Sequence, residues 1–287
     1  TGDGRFSNET AIFRAQMNNA FEQADNMRMR SDSAARSIVC AHGTGFADEG
    51  YGLIITEREA RIEASGPKGC YRGLQTLRQL LAASLADSEG REFRIPCAEI
   101  QDEPRFPWRG FMLDCSRTFF SAAFVKKQID LISMYGMNTF HWHLTDDQGW
   151  RLPVKGWPKL TEIGAWRTDY HVSAEPDHIV GGFYTEEEIR EVVAYAAARH
   201  IEVIPEIDLP GHASAILAAH PELGCTGGPY AVEDRYGIFP DVLCAGTDKI
   251  FDFAAAVFDA LGDLFPSRFV HIGGDEVRFE RWKECPR

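Results

Sequence analysis

Val270-His-Ile-Gly-Gly-Asp-Glu-Val277 is a short apolar run that stops at two glycines and is followed at once by two neighbouring carboxylates. It reads as a buried β-strand ending in a turn, because glycine lets the backbone reverse sharply and lets a ligand come close. Asp275 and Glu276 then project beyond the strand end. Two carboxylates held together do not ionise independently, and such coupling raises one pKa. An acid kept protonated beside an ionised neighbour is what a poor leaving group needs at neutral pH. The same pair also suits a helix N-terminus, where acidic residues are common. Both readings stand at this point.

Upstream, three more apolar strands end in polar clusters, and helices separate them. Gly110–Asp114 leads into Ser116 and Arg117, Thr139–Leu144 into Asp146 and Asp147, and Ile201–Ile207 into Asp208 and Pro210-Gly-His212. Helical spacing marks Val125–Tyr135, Thr185–Arg199 and Lys249–Phe265, the second opening on a Thr-Glu-Glu-Glu capping signal. Phe269–Ile272 is the fourth strand. Alternating βα units with polar strand ends point to a (β/α) barrel, whose working face lies at the carboxyl ends of its strands. A closed barrel needs eight strands, and four are visible. The expectation is therefore an α/β (β/α)8 domain truncated after strand four.

Residues 1–100 have a different rhythm. A helix near Ala11–Ala24, strands at Ser37–Ala41, Gly52–Thr56 and Ala60–Ala64, and an amphipathic helix over Gly69–Ala86 (Leu74, Leu77, Leu80, Leu81, Leu85) make a small α+β domain. The two-proline stretch Ile100–Arg109 reads as a linker, giving domains 1–100 and 101–287.

Each strand end has a chemical and a structural reading. Arg117 suits forked hydrogen bonds to vicinal hydroxyls, or a salt bridge with Asp114. Period-two alternation puts His141 and His143 on one face. With His212 as a third imidazole and Asp146 as a carboxylate, they suggest a metal-dependent hydrolase; His141 also reads as a core histidine. Glu206 and Asp208 share a face, and the Pro-Gly turn lifts His212 over the strand ends.

The chain has 287 residues, 44% hydrophobic and 25% charged, with a formal net charge of −13. That composition is ordinary for a globular protein. Its acidity, without a Lys/Arg-rich stretch, argues against nucleic acid and anionic membranes as partners and is compatible with a neutral sugar. No apolar run reaches the length of a membrane span, and the first residues lack signal-peptide character. Seven cysteines (Cys40, Cys70, Cys97, Cys115, Cys225, Cys244 and Cys285) form no Cys-x-x-Cys pair, which argues against a metal ribbon. Cys225 and Cys244 flank a Gly/Pro-rich loop that a disulfide could close; buried free thiols are the alternative.

Taken together, Tyr71-Arg-Gly-Leu-Gln-Thr-Leu-Arg-Gln-Leu-Leu81, Arg109-Gly-Phe-Met-Leu-Asp114, Ser116-Arg117, His141-Trp-His-Leu-Thr-Asp-Asp147, Pro210-Gly-His212 and His271-Ile-Gly-Gly-Asp-Glu276 resemble the β-N-acetylhexosaminidases of glycoside hydrolase family 20. The resemblance implies an exo-acting retaining glycosidase for oligosaccharides or glycoconjugates with a terminal N-acetylhexosamine, working through the substrate's own 2-acetamido group and without a cofactor. It implies that Glu276 is the general acid/base and that Asp275 holds the acetamido group. Asp146 and His212 match a relay that tunes the acid, Arg117 a binder of sugar hydroxyls, and Asp208 a supporting carboxylate, with His143 among the substrate-binding residues. Cys225–Cys244 matches a loop disulfide of some members. The family's pocket tryptophans, and a tyrosine for the acetamido oxygen, come from later strands, so this segment alone is expected to be weakly active or inactive. A sugar-binding protein without turnover is the remaining reading. An extracellular, periplasmic or lysosome-like setting suits the chemistry better than cytoplasm, and a homo-oligomer is left open.

Overall fold

The computed structural model describes residues 4–23, 37–87, 95–169 and 178–287, which divide into two compact units. Ala24 and the side chain of Leu85, both part of the helices expected above, lie outside the described residues. Among the described residues no helix is long and apolar enough to cross a membrane.

The first unit comprises Thr1–Arg109 with Asp130–Asn138 and Ala198–His200. It contains α1 (Ser7–Gln23), β1 (Ser37–His42), β2 (Tyr51–Ile55), β3 (Glu59–Ala64), α2 (Pro67–Asp87) and β4 (Ala98–Asp102). The sheet order is β1-β3-β2-β4, with β1 and β3 parallel and the other pairs antiparallel. Alternation along β3 buries Ala60, Ile62 and Ala64, and these meet Leu53, Leu74, Leu77, Phe6 and Phe13 in one apolar cluster. Each large side chain so buried stabilises the unit by about 1.5–3 kcal/mol. Gly69 lets α2 sit close to the sheet, since a Cβ there would lie 2.2 Å from the Gly50 carbonyl oxygen. Ile100–Asp102, which read as the start of the linker, instead belong to β4, where Ile100 pairs with Leu53.

The second unit comprises Gly110–Ile129, Thr139–Ala197 and Ile201–Arg287. Its elements are β5 (Gly110–Asp114), α3 (Ala122–Met134, the last turn in the first unit), β6 (Thr139–Asp146), β7 (Gly149–Trp150), α4 (Lys159–Glu162), β8 (Trp166–Thr168), β9 (Ile179–Gly181), α5 (Glu186–Ala197), β10 (Glu202–Ile207), α6 (Ser214–Ala219), α7 (Lys249–Leu264) and α8 (Glu280–Glu284). β5, β6 and β10 form a parallel sheet with β6 in the middle. The central position explains why β6 is buried along nearly its whole length. Phe140, Trp142 and Leu144 pack there, Trp142 4.7 Å from the Tyr184 ring. The capping signal at α5 is realised in full: Thr185 N donates to Glu188 Oε2 (2.9 Å) and Glu188 N to Thr185 Oγ1 (3.2 Å).

Two expectations are corrected. β6 runs on to Asp146 because β7 folds back on it, pairing Asp146 with Gly149. Phe269–Ile272 is not a full strand but a single parallel bridge, Glu206 with His271. Its contacts with β10 and the loop just after it are His271 N to Pro205 O, Ile207 N to His271 O and Leu209 N to Ile272 O, at 3.0–3.1 Å. A bulge between Glu206 and Ile207 shifts the register there. Gly273 and Gly274, at φ +62° and +101°, then turn the chain away.

Candidate active site

The parallel register sets the site. Asp114, His143 and Glu206 stand side by side on β5, β6 and β10, and His271 bridges to Glu206 on the far side. Glu206 accepts from His143 Nδ1 (2.5 Å) and His141 Nε2 (2.6 Å) and pairs with His271 Nδ1 (2.9 Å). Burial pushes its carboxyl up, but the two histidines outweigh burial and hold it well below the usual range. Burial likewise pulls His143 down, and its bonds to Asp146 and Glu206 reverse this, raising it to about 9.

Asp146 is the hub. Its buried carboxylate faces Arg117 Nη2 (2.6 Å), His143 Nε2 (3.1 Å) and His212 Nδ1 (3.2 Å), and accepts from Asp147 N (2.7 Å). Burial raises its pKa, yet the bonds to His143 and His212 and the charge of Arg117 bring it down to about 2. Arg117 also pairs with Asp114 Oδ2 at 3.0 Å, so the salt-bridge reading of this arginine is realised. A guanidinium has five N–H donors, so two carboxylates do not exhaust it. The side chain remains 24% exposed.

His212 carries the network outward. Bonds to Asp146 and Asp147 raise its pKa to about 11 against the opposing effect of burial. Its Nδ1 meets Asp147 Oδ2 at 2.9 Å, while Asp147 Oδ1 accepts from Ser214 N (2.9 Å) and Oγ (2.6 Å). On the other side of the ring, Nε2 lies 3.2 Å from Glu276 Oε2 and 3.7 Å from Asp275 Oδ2. These two carboxylates are 47% and 63% exposed, whereas His212, Asp146 and Asp147 behind them are buried. Among the described residues three non-glycines have positive φ, and two of them are His212 (+47°) and Glu276 (+53°). Such backbone costs about 1–3 kcal/mol per residue and persists only where its surroundings enforce it.

Asp208 supports the turn rather than the network. Its Oδ1 accepts from Gly274 N at 3.0 Å, and its own N–H donates to Thr145 Oγ1 at 3.0 Å. Burial, with Asp275 nearby, raises this carboxyl to about 7. Glycine is required at 273, because a Cβ would sit 1.8 Å from Asp208 Oδ1. Behind the site, fully buried Arg151 donates to the carbonyls of Cys115 (3.0 Å), Ser116 (2.6 Å), Ala165 (2.6 Å) and Gly182 (2.8 Å). It ties the loop that carries Arg117 to its neighbours.

All seven residues singled out from the sequence lie on this connected patch: Arg117, His143, Asp146, Asp208, His212, Asp275 and Glu276. The metal-hydrolase reading is corrected, because His141, His143 and His212 do not converge. The first two meet on Glu206, whereas His143 and His212 meet on Asp146, and among the described residues no ligand cluster gathers all three. The sequence reading named Asp147 only as part of a polar strand end and Asp114 only as a salt-bridge partner of Arg117, and it gave Glu206, His271 and Arg151 no role in the site. Asp147 was hidden because strand alternation aims it away from Asp146, and only the β6–β7 turn returns it to the same histidine. Glu206 and His271 depend on inter-strand register, which a single sequence does not carry.

Residues 106–287 match the model for glycosyl hydrolase family 20, catalytic domain, and residues 8–103 the model for domain 2 of the same family. A β-hexosaminidase of Porphyromonas gingivalis is 45% identical over 240 residues, covering 83% of this chain and 30% of that protein. One from Akkermansia muciniphila is 44% identical over 239 residues, covering 83% and 47%. The chain thus spans less than half the length of these curated relatives. Among solved structures, a β-N-acetylhexosaminidase crystal structure superposes with TM-score 0.80 at 41% identity, over 89% of this chain and 54% of that one. A Vibrio harveyi family 20 exo-β-N-acetylglucosaminidase in complex with N-acetylglucosamine gives 0.81 at 34%, over 99% and 44%.

Proposed function

The chain belongs to glycosyl hydrolase family 20, and from that premise we propose that the protein carrying it is an exo-acting, retaining β-N-acetylhexosaminidase. The observation that carries this reading is the placement of Asp275 and Glu276. Two exposed, adjacent carboxylates stand over one buried imidazole, His212, at the carboxyl end of a parallel sheet. The relatives are named β-hexosaminidases, and one solved neighbour holds N-acetylglucosamine.

In this reading the terminal sugar's acetamido oxygen attacks C1 and the glycosidic bond breaks, its oxygen taking a proton from Glu276. A bicyclic oxazolinium ion results. Water then adds to C1, giving up a proton to Glu276, and the ring reopens to an acetamido sugar with retained configuration. Asp275 accepts the amide N–H and stabilises the positive charge that develops. Adjacent acids serve here because no enzyme carboxylate has to reach C1 from the opposite face.

The buried groups position these two. Asp146 and Asp147 hold His212, and His212 faces Glu276 as an ion-pair partner at 3.2 Å. Arg117, braced by Asp114 and Asp146, offers its remaining donors to sugar hydroxyls. His143 supports that arginine indirectly, by holding the Asp146 carboxylate that braces it. Asp208 holds the glycine turn that presents Asp275.

The test is hydrolysis of an aryl N-acetyl-β-glucosaminide by the protein containing this chain. Glu276→Gln should lower kcat about 10²–10⁴-fold, the usual contribution of a general acid. An aryl β-glucoside lacking the acetamido group should not be cleaved. Comparable turnover of both sugars would defeat the reading.

A further inference from the structure

Three cysteines far apart in the sequence meet beside the site. Cys225 follows Gly224 and Cys244 follows Leu243, and Gly224 and Leu243 form an antiparallel bridge. Cys244 N donates to Leu223 O at 2.8 Å, which sets the two cysteines on neighbouring backbones. Cys285 arrives at the end of α8, held there by Trp282 Nε1 on Leu243 O (2.9 Å) and by Arg281 on Asp241 (2.7 Å). The three sulfurs lie within 4.8 Å of one another. Cys244 Sγ and Cys285 Sγ are 3.6 Å apart, and Cys225 is in hydrogen-bond range of both.

We propose that Cys225, Cys244 and Cys285 form a zinc site that pins the 225–244 loop to the segment following Glu276. A single disulfide, with sulfurs about 2.05 Å apart, accounts for two of these residues and strands the third. Three thiolates around a tetrahedral zinc at about 2.3 Å are spaced about 3.8 Å apart, close to the separation seen. Soft thiolates select zinc over the hard divalent cations. Binding Zn²⁺ releases three protons to solvent and leaves one net negative charge on the site, with a fourth position for water or another donor. Two local features suit that charge. The backbone N–H of Arg287 donates toward Cys285. The Arg287 side chain, bonded to the Gly224 and Cys225 carbonyls, brings a guanidinium alongside. The Cys225–Cys244 loop disulfide drawn from family resemblance uses two members of this cluster and does not explain the third.

Cobalt(II) titration of the reduced, metal-free chain tests this. One equivalent should bind with intense sulfur-to-cobalt charge-transfer absorption, and one equivalent of zinc should displace it. Cys225→Ser, Cys244→Ser and Cys285→Ser should each weaken cobalt binding at least about tenfold, since losing even a supporting contact costs that much. Exposed Cys97 provides the control, Cys97→Ser leaving the titration unchanged. Cobalt binding without charge transfer, absorption that survives all three substitutions, or no binding at all by the reduced chain would each overturn the proposal. If the variants do not fold, the wild-type spectrum decides.

Discussion

Asp146→Ala is the substitution on which the positioning argument can be pressed hardest. The carboxylate is buried and meets Arg117, His143 and His212 at 2.6, 3.1 and 3.2 Å. Removing one partner of a buried ion pair costs about 3–5 kcal/mol, because the remaining charge keeps its desolvation penalty. The overlap between the three contacts keeps the total near that range rather than at its triple. Against a typical domain stability of about 5–15 kcal/mol, this is about a fifth or more of the whole. The pH dependence follows from the shifts. Asp146, lowered to about 2, stabilises the fold above the unfolded pKa of about 3.9, and this is lost as pH falls through 2. His212, raised to about 11, stabilises it fully below about 6.5, and this is lost as pH rises through 11. Urea unfolding at pH 5–6, with an NMR titration of the His212 ring, reads both effects. The variant should lose about 3–5 kcal/mol, and the His212 midpoint should move down toward about 6.5. A loss under about 1 kcal/mol with His212 still titrating near 11 would refute the reasoning.

Three further outcomes are expected. Asp208, raised to about 7, takes up a proton on folding between about pH 4 and 7, so its contribution falls as pH rises through that window. Asp208→Asn should gain stability relative to wild type from pH 4 to pH 8 in parallel thermal melts, and a difference independent of pH would contradict this. Arg151→Met leaves the carbonyls of Cys115, Ser116 and Gly182 without their donor, Ala165 keeping Gly182 N, and should cost at least about 3 kcal/mol in urea unfolding; a near-neutral change would show that the loops do not depend on it. Gly273→Ala must relieve a 1.8 Å clash with Asp208 and adopt left-handed backbone. It should lower aryl-glucosaminide turnover at least about tenfold, and unchanged turnover would show that the turn does not set Asp275.

The βα rhythm and the strand ends were legible because β5, β6 and β10 are apolar runs bounded by turn residues, and α5 announces its own cap at Thr185. The small elements were not. β7, α4, β8 and β9 are two to four residues long, too short for any periodicity to register. β4 was lost in a proline-rich stretch because its pairing with β2 is a long-range fact. The fourth strand reads as β from its Val-His-Ile run, yet pairing along one side and a bulge in β10 leave a single bridge. In the site, residue types at strand ends pointed to the acids and to His212, whereas the binding of three histidines by Glu206 needed the register. The three cysteines show the same limit: scattered in sequence, they are neighbours only after Leu243 pairs with Gly224.

The central claim is that the oxygen of the substrate's acetamido group, whose N–H Asp275 accepts, attacks C1 while Glu276 supplies the proton. The rate constants for aryl glucosaminides bearing acetyl, fluoroacetyl, difluoroacetyl and trifluoroacetyl amides measure this directly, since fluorine withdraws electrons from that oxygen without changing the leaving group. Rates that fall steeply along the series in the wild-type protein are the result expected. Rates that stay level would mean that a protein group attacks C1, and the assignment of Asp275 and Glu276 would fail.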